Sequence, residues 1–188
     1  VLAAEPMRAT SVEFHAGTRS HRGAIEGVPE NPQLQRVYDA GGRVVQVPPD
    51  GLLLSTALAE KLQLDIGDRV QVDVLEGRRP KRSIPVVDLY ETYIGMTAYM
   101  NIDAFNRLMG ERGSLEYVTL LVDDDQLPAL YKKLKALPKV ASVTLKNAAV
   151  HEFNETMAET ILIYISFFGA FACAPVSYTH LTLPTTRL

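Results

Sequence analysis

Few side chains in this sequence have the types and spacing that chemistry requires. Asp123-Asp124-Asp125 is a carboxylate run of the kind that could gather a divalent cation. It lies between a strand-like and a helix-like segment, where acids cap a helix and complement its dipole, and no second ligand set accompanies it. Capping by Asp125 is therefore the better reading. His15, His21, His151 and His180 are scattered without metal-ligand spacing, and Asp88, Glu91 and Asp103 fix no acid–base pair. Gly41-Gly42 and Gly110-Glu111-Arg112-Gly113 match neither phosphate-cradling glycine pattern, and no serine stands in a nucleophile elbow. The sequence thus offers no catalytic, cofactor-binding or metal-binding residue. What remains is contact chemistry. Arg78, Arg79, Lys81 and Arg82 concentrate positive charge, which fits a solvated hairpin tip first and a contact with an acidic partner or lipid headgroups second. Tyr93, Met96 and Tyr99, within the stretch Tyr90 to Met100, fit either an exposed partner-contact surface or core beneath the next helix.

The elements that must position these groups follow from periodicity. Ala4 to His15 reads as a strand, with Met7, Ala9, Ser11 and Glu13 on one face and Val12 and Phe14 on the other. Gly17 breaks it, and Arg19 to Gly27 returns. A Pro- and Gly-punctuated stretch follows, in which Arg43 to Val47 could be a short strand. Leu52-Leu53-Leu54 is a buried strand running into Ser55, an N-cap for a helix over Thr56 to Leu62. Alternation over Val70 to Val74 predicts a half-buried strand, with Ser83 to Leu89 returning from the Gly77 loop and Pro85 favouring an edge or a bulge. Thr97 to Met100 is a strand, and Asn101 caps a helix carrying Ile102, Phe105, Leu108 and Met109. Tyr117 to Val122, a helix striped by Leu127, Leu130, Leu134 and Leu137, and Val140 to Leu145 predict a strand–helix–strand unit.

From Val150 the chain is helical and polar, then from Ile161 to Ala174 it is uncharged and apolar on every face. A span needs about 20 such residues, so this run is expected to be the first part of a transmembrane helix, entered from a continuous stalk. Pro175 changes the character. Val176 to Thr185, back-translated, resembles a library-preparation adapter, so 175–188 is read as a non-native tail. Val1 reads as mid-strand, as if the chain began inside a longer one. The expected organisation is a domain over 1–149, a stalk helix over 150–160, a truncated span over 161–174 and the tail. The expected fold class is α+β, with two subdomains: the βαβ unit with the chain ends, and the hairpin around Gly77.

Length and composition fit that plan. The chain has 188 residues, enough for one core or two small ones, and a net charge of −3, which gives no basic footprint for nucleic acid. Its one cysteine, Cys173, lies in the apolar run, so the water-facing part has no disulfide framework.

Gly51-Leu52-Leu53-Leu54-Ser55-Thr56-Ala57-Leu58-Ala59-Glu60-Lys61-Leu62, followed by Leu64-Asp65-Ile66-Gly67-Asp68-Arg69-Val70-Gln71-Val72, resembles a stretch in the extracytoplasmic (MacB-like periplasmic core) domains of FtsX-like/MacB-like ABC transporter permeases. Phe153 to Thr160, running into apolar sequence, resembles the stalk before their second transmembrane helix. The resemblance implies a multi-pass permease of the cell (inner) membrane, partnered by a cytosolic ABC ATPase and a second permease subunit. Its extracytoplasmic domain would act as a non-catalytic mechanical lever on lipoproteins, peptides or envelope partners. No family functional residue transfers by position. The rival readings are a membrane-anchored ligand-binding or protein-interaction domain and a membrane-tethered enzyme.

Overall fold

The computed structural model describes residues 1–111 and 113–181, with side chains to residue 168. They form two compact units that divide after Asp125.

The first unit opens with β1 (Ala3–Ala16) and β2 (Arg19–Val28), an antiparallel hairpin that turns at Gly17, φ +58°. Val12 and Phe14 alternate into the core as their spacing predicts. Met7 is buried as well, not with Val12 and Phe14 but on the opposite face, in a second cluster with Val28, Val37, Val47, Leu53 and Tyr90. β1 pairs through Ala3–Met7 with β9 (Tyr117–Leu121) and from Arg8 onward with β2. A long connection carries the two-residue strands β3 (Val37–Tyr38) and β4 (Val44–Val45). Next come β5 (Leu52–Ser55), α1 (Thr56–Leu62), β6 (Arg69–Val74), β7 (Lys81–Tyr90), β8 (Ala98–Asn101) and α2 (Ile102–Met109).

Six of these strands close on themselves. Around the ring the order is β1-β2-β8-β5-β7-β6 and back to β1, with β2–β8 and β5–β7 parallel and the rest antiparallel. The result is a small barrel filled by side chains such as Phe14, Ile25, Leu54, Val72 and Met100, with Leu58 and Phe105 of the helices in the same cluster. Closure leaves those six strands without a free edge over most of their length. The hairpin around Gly77 is therefore part of this barrel and not the separate subdomain expected from the sequence.

The barrel is built twice over. Hairpin, strand and helix recur as β1-β2-β5-α1 and β6-β7-β8-α2. Val12, Phe14 and Gly17 answer to Val72, Val74 and Gly77, and both glycines have φ near +58°. Both helices end on a left-handed residue, Gln63 or Gly110, with matching closing bonds from Leu64 N–H to Ala59 O and from Glu111 N–H to Asn106 O. The third strand of each half pairs with the second strand of the other, so neither half closes alone.

Local signals that the sequence displays are honoured unevenly. Asn101 caps α2, its Oδ1 accepting from Asp103 and Ala104 N–H. Ser55 precedes α1 but makes no cap bond, and its Oγ is buried without a partner in the protein. The Gly67-Asp68 turn is clamped to β7 by Gly67 N–H to Val86 O and Val86 N–H to Asp68 O, both 2.8 Å. Pro85 lies in a strand interior to the ring. Two residues on, β7 bulges against β5 at Val87, since Leu52 pairs with Val86 and Leu53 with Asp88.

In the second unit, a 3-10 turn (Asp124–Gln126) leads into α3 (Leu127–Lys135), and α4 spans Lys146–Leu181. Asp125 is not the cap: it lies in the 3-10 turn, where its N–H faces Asp123 Oδ1 at 3.4 Å, and Gln126 holds the N-cap position. Leu127, Leu130 and Leu134 share one half-buried face, and Leu137 is exposed. Val140 to Leu145 forms no strand, so the expected βαβ unit is absent. Its β-branched composition supplies a propensity, but a strand needs a neighbour to pair with. α4 begins earlier than expected and continues through Pro175 to Leu181, a Pro within a helix removing one hydrogen bond without ending it. Among the described residues no helix is long and apolar enough to cross a membrane. Positions 182–188 of the expected tail, and the side chain of Cys173, lie outside the described residues.

Candidate functional site

The basic cluster sits where β6 turns into β7, and only part of it is free. Lys81 Nζ pairs with Asp73 at 2.5 Å, a bond that holds the Asp73 carboxyl below its usual range, with Gln71 assisting. Arg78 lies in the field of the Glu111 carboxylate. Arg79 closes the turn at φ +51°, its N–H donating to Glu76 O, and Arg82 is exposed. Glu76 lashes the tip to β1 by accepting from Ser11 N–H and Thr10 Oγ1, each at 3.3 Å. Arg78, Arg79 and Arg82 are all exposed and none forms an ion pair among the described residues, although Arg82 Nη1 donates to Lys81 O at 3.2 Å.

The aromatic stretch divides. Tyr93 and Ile94 are 88% and 85% exposed on the loop between β7 and β8, beside a partly exposed Met96. Thr92 Oγ1 holds the loop by accepting from Ile94 N–H at 3.2 Å. Tyr99 is half-buried, its ring tilted on that of Tyr90 at 5.7 Å, while the Tyr90 and Thr97 hydroxyls bond to one another. The basic tip and the Tyr93 loop stand at opposite ends of β7. Ten strand residues at about 3.3 Å each separate them by roughly 30 Å, so they are two surfaces and not one site.

Three charged residues of the barrel strands escaped sequence reasoning. Arg8, 5% exposed, donates to Asn106 Oδ1 at 2.9 Å and Glu111 Oε2 at 2.7 Å, and its guanidinium lies 5.4 Å from the centre of the Phe105 ring. Glu5 is 9% exposed and accepts from the backbone N–H of Gln33, Leu34 and Gln35. Glu26 is half-buried on the outside of β2. The available signal was a charge inside an alternating strand, which reads equally well as a solvated face.

Glu5 pins the long connection that the other half of the barrel lacks. Burial pushes its carboxyl up, but the three N–H bonds outweigh burial and its pKa is lowered. Its contribution is thus complete above the unfolded pKa and is lost as pH falls through the lower folded value. Glu5→Ala is expected to cost about 2 kcal/mol and to speed amide exchange at Gln33, Leu34 and Gln35. Unchanged exchange at all three amides would show that the loop is held by other means.

Among the described residues no group of three His, Cys, Asp or Glu is placed to hold a metal ion. Two surface depressions lie along equivalent helices, one of about 470 Å³ by Thr56, Glu60 and Gln63, the other of about 340 Å³ by Asp103, Asn106 and Arg107.

No protein-family model matches the chain, and no curated protein matches it. Among solved structures it is similar to the crystal structure of the extracellular domain of the noncanonic ABC-type transporter YknZ from Gram-positive bacteria. The identity is 12% and the TM-score 0.48, covering 70% of this chain and 71% of that one. A likeness of that size assigns neither a family nor a function.

Proposed function

We propose that this chain is the extracytoplasmic domain of an ABC transporter permease subunit, engaging a substrate or envelope partner and passing force across the membrane without catalysing a reaction. The single observation that carries the contact role is the Tyr93-Ile94 tip, two large apolar side chains held out in water by a short, braced loop. The resemblance of Gly51 to Val72 supports the permease reading, and those residues make one continuous piece of the barrel: β5, α1, the Gly67-Asp68 turn and β6. In this reading residues 150–160 are a stalk and the apolar run 161–174 is the first part of a membrane span. The cytosolic ATPase and a second permease subunit are the partners this reading requires. Arg79 and Arg82 form a separate basic contact at the far end of β7.

In the full-length permease, Tyr93→Ser with Ile94→Ser is expected to lower transport about tenfold or more, as loss of an aromatic anchor does, with folding intact and the ATPase still co-purifying. Charge reversal at Arg79 and Arg82 is expected to leave stability within about 0.5 kcal/mol and to lower transport less. Undiminished transport in both variants would remove the contact assignment. Failure of any ATPase to co-purify with the unaltered protein would remove the permease reading.

A further inference from the structure

Glu26 is a half-buried acid without a partner. The other partly or fully buried acids among the described residues each face one: Glu5 three backbone N–H groups, Glu13 His15, Asp39 Arg43, Asp73 Lys81 and Glu111 Arg8. The Glu26 carboxylate makes neither a hydrogen bond nor an ion pair. The nearest arginine by register is Arg8, opposite Gly27, and its guanidinium is committed to Asn106 and Glu111. Burial pushes the Glu26 carboxyl up with nothing to offset it. Leaving such a charge unpaired is costly unless something neutralises it.

What surrounds Glu26 is aromatic. Tyr99 is its neighbour on β8 in the parallel register, with the Tyr90 ring behind it at 5.7 Å. On the other side Ala9 of β1 faces Glu26, and the Glu116-Tyr117 corner closes over Ala9: Glu116 accepts from Ala9 N–H at 3.2 Å, and Tyr117 pairs with Met7. Beyond the effect of burial, the charge of Glu26 raises the pKa of all three phenols, which places them within its field. A metal ion would want about six oxygen ligands, which one carboxylate among rings does not supply. A compact organic cation wants one negative charge and the faces of aromatic rings.

We propose that Glu26, flanked by Tyr99 and Tyr117 with Tyr90 behind, is a recognition site for an alkylammonium group. The carboxylate supplies the ion pair and the ring faces the cation–π contact. A lysine side chain of a partner polypeptide and a free amine share this chemistry. The inference does not depend on the permease reading, because it is tested by binding alone.

The full chain is titrated with butylammonium chloride, against sodium chloride at equal ionic strength, while the ring proton resonances of Tyr99 and Tyr117 are followed. A second arm uses a short lysine-containing peptide. Saturable shifts at both rings are expected, with affinity weakened about tenfold or more in Glu26→Gln and several-fold in Tyr99→Leu. Saturation in the peptide arm identifies a polypeptide source, and saturation by butylammonium alone identifies a free amine. Shifts that do not saturate in either arm, or that Glu26→Gln leaves unchanged while its thermal melt matches the unaltered protein, would overturn the site.

Discussion

Gly51→Ala is expected to destabilise the first unit by about 3 kcal/mol or more, read as a lower urea midpoint with an unchanged slope. Gly51 has φ +84°, where an L side chain is strained by about 1–2 kcal/mol before any contact is counted. A Cβ there would also stand 2.9 Å from Pro85 O and run into Val87 Cγ2. Val87 is a side chain and could turn away, but the Pro85 carbonyl is backbone in a strand of the closed ring. Val87 is also the residue by which the β5–β7 register slips, so the glycine and the bulge are two halves of one accommodation: the chain enters β5 through space that the bulge occupies. A loss below about 1 kcal/mol would mean that the bulge can migrate along β7 and that the register is not fixed there.

Much of this architecture was legible where the determinant is local. The Leu52-to-Val72 stretch reads correctly because a buried strand, a helix of one apolar face and a Gly-Asp turn each announce themselves within a few residues. Asn101 reads as a cap for the same reason. Ser55 has the right type at the right place, yet its hydroxyl is enclosed before it can reach the helix N–H groups, so type alone misleads. Ring closure was not legible, since β2–β8 and β5–β7 are parallel pairs between distant strands and no local pattern encodes a partner. The doubling is nearly erased in side chains and survives in the turn glycines and helix ends. Val140 to Leu145 is the converse case, a run with strand composition and no strand beside it. Tyr93 and Tyr99 belong to one sequence stretch, but the first lies in a loop and the second in a strand between packed neighbours, a distinction that spacing does not carry. Glu26 was invisible because an acid on the outer face of an alternating strand is ordinarily solvated; only the rings brought by other strands make it unusual.

Arg8→Ala is expected to cost about 3–4 kcal/mol, the scale of removing one member of a buried, bonded charge network. Two losses combine. The guanidinium leaves Asn106, itself buried, without its donor, and the stem vacates the space beside Phe105. Arg8→Met separates them, since it keeps most of the packing and drops the bonds, and should recover part of the loss. Arg8→Lys keeps the charge without the fork that reaches Asn106 and Glu111 together, and should fall between alanine and the native residue. Acid titration gives an independent readout. The hydrogen bond and then the charge of Arg8 hold the Glu111 carboxyl below its usual range. That stabilisation is complete above the unfolded pKa and disappears as pH falls through the lower folded value. In Arg8→Ala this part of the acid dependence should vanish, whereas in Arg8→Lys some should remain. An alanine variant as stable as the native protein, with the same acid limb, would show that Arg8 is solvated in solution and that α2 is held on the barrel by its apolar side chains, Ala104, Phe105 and Met109.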